Sequence, residues 1–214
     1  MVGGGPRNYD VAMTIYLDGE PVALGGANLD EVLAQARVYL QGSGRVVVEV
    51  QVDGQALTGK DLDSRLHADL GQAELRLASA DPRELSLTAL QAVRTKLAES
   101  TAAQGDAADA FQRDDYPRAM QVLGQAMQVW NQGPQAIVNA AQMASLPLGE
   151  ITVEGQTMDA LAMDLVERLK AIRDRLAAKD TVALADALVY EWPGVTARWD
   201  RFVEHLIQEI SARP

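Results

Sequence analysis

The chain contains no cysteine, which removes disulfides, thiolate zinc sites, iron–sulfur clusters and a cysteine nucleophile together. Its only two histidines, His67 and His205, stand 138 positions apart, in neither a His-x-x-His nor a Glu-x-x-His spacing. No apolar run approaches the roughly 18 residues that a membrane-spanning helix requires. Basic residues are scarce, 19 against 30 acidic ones, and the sequence pI is near 4.6. So negative a surface is repelled by phosphate backbones and anionic lipid, and neither nucleic acid nor a membrane is expected as a partner. Near the amino end Asp10 follows Arg7 before any apolar stretch of signal-peptide length, which predicts a cytoplasmic protein. No cofactor is expected.

What is present is a change of period. Residues 1–79 alternate as strands do, and residues 82–214 carry apolar spacings of three and four, so the chain divides into a small sheet domain and a helical domain. Tyr9 to Leu17, with Val11 and Ile15 inward, predicts a strand; Asp18-Gly19 predicts its turn and Glu20 to Leu24 the returning strand. Asn28 with Glu31 three positions on forms a capping box. Leu29, Val32, Leu33, Ala36 and Leu40 form the apolar stripe of a helix expected to stop at Gly42. Arg45 to Val52 predicts a strand turned by Asp53-Gly54, and after a short irregular stretch Ala73 to Ala78 predicts a last strand. This order resembles the β-grasp, or ubiquitin-like, fold over about 70 residues. The resemblance implies architecture and no carrier chemistry, because Gly25-Gly26 lies within a loop and the chain continues far beyond its last strand.

Ser79 to Arg83 reads as a linker, with Asp81, Pro82 and Glu84 marking a helix start. Four or five helices are expected from there, giving an α+β protein made of a β-grasp-like domain and an all-helical bundle. One helix opens with Leu90, Val93 and Leu97 and another runs from Met158 to Leu176. A last helical stretch, 182–212, is expected to kink or break after Trp192, where Pro193 lacks a donor and its ring clashes with the carbonyl of Val189. The string from Asp180 to Pro193, with Trp199 seven positions after Trp192, is similar to carboxyl-terminal stretches of uncharacterised bacterial proteins. That similarity implies no activity.

The most informative segment is 119–149, where 31 consecutive residues carry no charge although 23% of the chain is charged. Met120, Leu123, Met127 and Trp130 share one helical stripe, and Gln121, Gln125, Gln128, Gln132 and Gln135 form the next. A helix without a charged face is expected where packing surrounds it on most sides, either inside its own domain or against a partner. Its eight Gln and Asn residues exclude a membrane span. Gly133-Pro134 is expected to kink or end this helix near Trp130, leaving Gln135 to Leu146 as a second segment. The candidate interaction surface is therefore Met120, Gln121, Gln125, Met127, Gln128, Trp130, Gln132, Trp192 and Trp199, and a homodimer using part of it is expected.

Catalytic patterns are incomplete. Gly54 to Lys60 spells a phosphate loop, but Asp61 stands where a magnesium-binding hydroxyl belongs, and a hairpin turn explains the same glycines. Asp61 and Asp63 begin a calcium loop that lacks its glycine at Leu66 and its closing glutamate at Gln72. Ser43 lacks the glycine two positions earlier of a nucleophile elbow. Asp106, Asp109, Asp114 and Asp115, with Asp180, Asp186 or Glu191, build a metal or acid–base site only if the fold converges them. The sequence thus favours a non-catalytic interaction or assembly adaptor acting through its helical domain. The alternatives are an acidic chaperone for an exported or flagellar-type subunit and a metal-assisted enzyme using clustered carboxylates.

Overall fold

Asp18 and Gly19 have φ of 52° and 86°, the left-handed conformation that a two-residue hairpin demands. They join β1 (Thr14–Leu17) to β2 (Glu20–Pro21) in a computed structural model that describes residues 13–213. The part of the first predicted strand before Met13, including Val11, and the reading of the amino end lie outside the described residues. The described residues form two compact units, divided at the start of the first helix that follows the sheet, between Pro82 and Arg83.

In the first unit β3 (Val46–Val52) turns at Asp53-Gly54 into β4 (Gln55–Ala56), and β5 (Glu74–Ala80) inserts between β1 and β3. It runs parallel to β1 and antiparallel to β3, so the mixed five-stranded sheet has the order β2-β1-β5-β3-β4. Helix α1 (Leu29–Leu40) buries Leu29, Val32, Ala36 and Leu40 against Ile15, Leu17, Val50, Val52, Leu75 and Leu77. Its start follows the predicted box with one shift: Asn28 accepts from the Glu31 N–H at 3.0 Å, while Glu31 reaches back to the N–H of Ala27, at 2.8 Å.

Gly42 does not stop α1. A tightened turn, Gln41–Ser43, continues the winding while the Ser43 hydroxyl donates to the Leu40 carbonyl, and the chain turns left-handed only at Gly44, with φ of 69°. The stretch read as irregular contains a short helix, α2 (Gly59–Arg65), which the apolar pattern hides because only Leu62 and Leu66 pack on the core.

Asp18 ties three elements together. Its carboxylate accepts from the Ser79 N–H at 2.7 Å and the Ser79 hydroxyl at 2.6 Å, and Arg45 stands 3.5 Å away. The Ser79 amide first, then its hydroxyl, hold this carboxyl below the usual carboxylate range, with Arg45 adding to the effect. A carboxyl more acidic folded than unfolded contributes stability that is present above its unfolded value near 3.8 and is lost as pH falls through the folded one. Asp18→Asn is expected to cost about 0.5–1 kcal/mol at neutral pH, kept small by solvent screening of a side chain 42% exposed. It should also flatten the acid limb of stability, measured as amide hydrogen exchange on β3 and β5. An unchanged acid limb would contradict this assignment.

The second unit is helical: α3 (Pro82–Gln112), α4 (Tyr116–Met143), α5 (Met158–Ala177), α6 (Thr181–Asp186) and α7 (Trp192–Ala212). Side-chain oxygens of Asp115, Thr157 and Asp180 cap α4, α5 and α6. Sequence reading missed a small hairpin, β6 (Thr152–Val153) and β7 (Gln156–Thr157), whose strands are two residues long.

Both proline expectations need correction. Pro134 lies inside α4, which runs unbroken from Tyr116 to Met143. Gly133 has no Cβ to clash with the pyrrolidine ring, and residues on both sides of the proline, Ala126 and Trp130 before it and Ile137 and Ala140 after it, are buried. At Pro193 the interruption precedes Trp192: Ala187–Glu191 forms a π turn in which the Trp192 N–H reaches the Ala187 carbonyl. This wider turn places Pro193 in the first turn of α7, where no donor is missed. Glu191, at its end, accepts from Arg168 and Arg175 of α5, both at 2.9 Å.

Candidate functional site

The uncharged segment is enclosed on one side only. Leu123, Ala126, Trp130, Ile137, Ala140 and Ala141 are buried, and Met120 and Met127 pack half-buried against the same core. Gln121, Gln125, Gln128, Gln132 and Gln135 are exposed. The expectation that packing within the chain surrounds this helix on most sides is therefore corrected: its amide stripe faces outward.

Trp130, Trp192 and Trp199, expected at the interaction surface, form no part of one. They are 4%, 1% and 1% exposed, and the Trp130 ring centroid lies 5.6 Å from that of Trp192 and 5.8 Å from that of Trp199. The tilted and edge-on arrangements bring ring rims toward ring faces, the favourable geometry for aromatic pairs. The indole nitrogens of Trp130 and Trp199 are buried without a hydrogen-bond partner, so these rings contribute through area and ring contact. Heptad spacing signalled core here because α7 keeps one face inward along Trp192, Val195, Trp199, Phe202, Leu206 and Ile210.

Beside the amide stripe lies a groove of about 620 Å³ between α3 and α4. From α4 it is lined by Gln125, Gln128, Val129, Gln132, Gly133 and Ala136, and from α3 by Ala89, Ala92, Val93, Lys96, Glu99, Ser100 and Ala103. Each set recurs at steps of three and four, so each is one stripe of its helix. The alanines of α3, facing Gly133 and Ala136 of α4, leave the space open. At the floor the Ser100 hydroxyl donates to the Ala126 carbonyl at 2.6 Å, fastening α3 to α4, and Gln104 donates to Ser100 at 3.1 Å. The only charges on the lining are Lys96 and Glu99, paired at 2.6 Å with side chains 65% and 57% exposed.

Sequence reading identified three of these residues, Gln125, Gln128 and Gln132, and missed the α3 half. The available signal was Ala89, Ala92, Lys96, Glu99 and Ala103 at helical spacing beside the core stripe of Leu90, Val93 and Leu97.

The groove can exclude water from a protein segment and offer it neutral amides, and its lining holds no nucleophile–base pair. A second groove, of about 760 Å³, lies between α3 and α7 and is crossed by Arg94, which grips Asp200 with bonds of 2.7 and 3.0 Å. Those bonds hold the Arg94 guanidinium still more firmly protonated. Of the clustered carboxylates, Asp106, Asp109 and Asp115 line one small pocket, but Arg113 and Arg118 line it with them. Asp109 pairs with Arg113, Asp115 and Asp180 cap helices, Asp114 occupies a left-handed turn, and Glu191 is held by two arginines. Among the described residues no group of three or more His, Asp or Glu is placed to hold a metal ion. None of their helices is long and apolar enough to cross a membrane. Comparison with protein-family models, with curated proteins and with solved structures finds no match to this chain.

Proposed function

We propose that this chain is a non-catalytic assembly protein that makes protein contacts, including contacts with a second copy of itself, through the α3–α4 face of its helical unit. The single observation that carries this reading is an exposed helix face without charge. In water an exposed position accommodates Lys or Glu at almost no energetic cost, so physical chemistry of the isolated unit does not keep ions out of the Gln121–Gln135 stripe. At an interface each unpaired ion costs several kcal/mol of desolvation, whereas amides and methyls do not. The open groove beside the stripe, lined by small side chains, valines and neutral amides with a single ion pair, supports the same reading. For the first unit, the sheet order β2-β1-β5-β3-β4 with one covering helix supports a β-grasp reading.

The test places charge where the reading allows none. Gln128→Glu with Gln132→Glu alters two exposed positions, so folding stability should stay within about 0.5 kcal/mol. Self-association, followed by light scattering, should be lost. The corresponding pair of lysine substitutions should also abolish it, although it lowers the net negative charge instead of raising it. Association that survives both variants would overturn the reading.

A further inference from the structure

Helix α3 stands as a ridge between the α3–α4 groove and the α3–α7 groove. Along its side toward the first groove run Ala92, Lys96, Glu99 and Ala103, at successive spacings of four, three and four. That pattern reads the same in either direction for side-chain size and with opposite sign for charge.

Resting on the proposed function, we propose that the occupant of the α3–α4 groove is a second copy of this chain, with its α3 antiparallel to the first across a two-fold axis that passes between Lys96 and Glu99. In that arrangement Ala92 faces Ala103 of the second copy, and Lys96 faces Glu99 of the second copy, twice over. The ridge of each copy enters the groove of the other, which is the ridges-into-grooves packing of helices. Alanine at both ends of the stripe permits close backbone approach. The contact is isologous and closes at two copies.

Charge argues for this face as the place where two copies meet. The chain carries a net charge of −11, so a second copy is repelled from most of the surface. At the groove that repulsion is weak, because α4 brings no ion to it and α3 brings one of each sign. Lys96 and Glu99 already pair within α3, but an exposed pair of this kind contributes little. Forming a four-membered ring of alternating charges across the axis therefore displaces almost nothing.

The experiment uses the full chain and its lack of cysteine. Light scattering and sedimentation should show wild-type dimers. Lys96→Glu alone and Glu99→Lys alone each set like charges opposite one another, and each should raise the dimer dissociation constant at least about tenfold. An equimolar mixture of the two single variants should recover association as a heterodimer, because one brings two carboxylates and the other two ammonium groups. Recovery in a mixture cannot come from pairs within one helix. Ala92→Cys and Ala103→Cys then fix the register: oxidation should cross-link the mixture and neither variant alone, since a disulfide needs Cα atoms within about 7 Å. Circular dichroism spectra that match the wild type verify that all variants fold. Dimers that ignore the charge changes and fail to cross-link would overturn this arrangement and leave the proposed function standing. A wild-type chain that stays monomeric would overturn both.

Discussion

Trp199→Ala is expected to lower the unfolding free energy of the helical unit by about 3–5 kcal/mol. The indole is 1% exposed, stands 5.8 Å from Trp130 and belongs to a core that also holds Trp192 and Phe202. Removing it forfeits the transfer energy of a large ring and leaves a cavity that helices joined by short turns cannot collapse. Because its Nε1 has no hydrogen-bond partner, Trp199→Phe loses volume without breaking a bond and should cost clearly less. All three tryptophans lie in this unit, so denaturant unfolding followed by the remaining fluorescence reports it selectively. A loss below about 1 kcal/mol for the alanine variant would show that this ring does not hold the helices together.

The second large effect belongs to the sheet unit. Gly26 has a φ of 154°, and a Cβ built there stands 2.9 Å from the Glu31 Cβ and 3.0 Å from both the Val32 backbone nitrogen and its Cγ2. Val32 is fully buried and its backbone belongs to α1, so neither neighbour can withdraw. Gly26→Ala therefore combines backbone strain with overpacking, each of about 1–3 kcal/mol, and should cost about 2–4 kcal/mol in all. The loss should be confined to amide protection in β1, β3, β5 and α1, with tryptophan fluorescence unfolding unchanged. Gly19→Ala is a control for positive φ without crowding, since nothing lies within 4 Å of its built Cβ, and it should cost less.

Much of the architecture was legible because two local signals dominate it. The Asp18-Gly19 and Asp53-Gly54 pairs both adopt positive φ where hairpins were read, and the Asn28–Glu31 box opens α1. The extent of α5, read as Met158 to Leu176, matches the observed Met158–Ala177 because period alone determines it. Where reading failed, tertiary context overrode a local rule. Pro134 forbids a helix in isolation, yet the buried residues around it hold one continuous rod; Pro193 was absorbed by a π turn that no propensity scale anticipates. Two-residue strands such as β6 and β7 are too short to show alternation.

The site was half legible for a similar reason. An absence of charge can be read along a sequence, and it drew attention to α4. Whether Trp130 or the glutamines of that helix faced outward depended on where α7, with Trp192 and Trp199, packed, which only the fold decides. The tryptophans took the core, and the amides were left beside a groove whose other wall, on α3, consists of alanines, Val93, one buried serine and one ion pair. Small residues give a weak sequence signal because they mark close packing and open grooves alike.

The account depends on the α3–α4 face being covered by protein in solution. Sedimentation equilibrium of the full chain over rising concentration tests this most directly. The account predicts a mass approaching twice the 23.0 kDa of one chain. A mass that stays at 23.0 kDa at every concentration would contradict it.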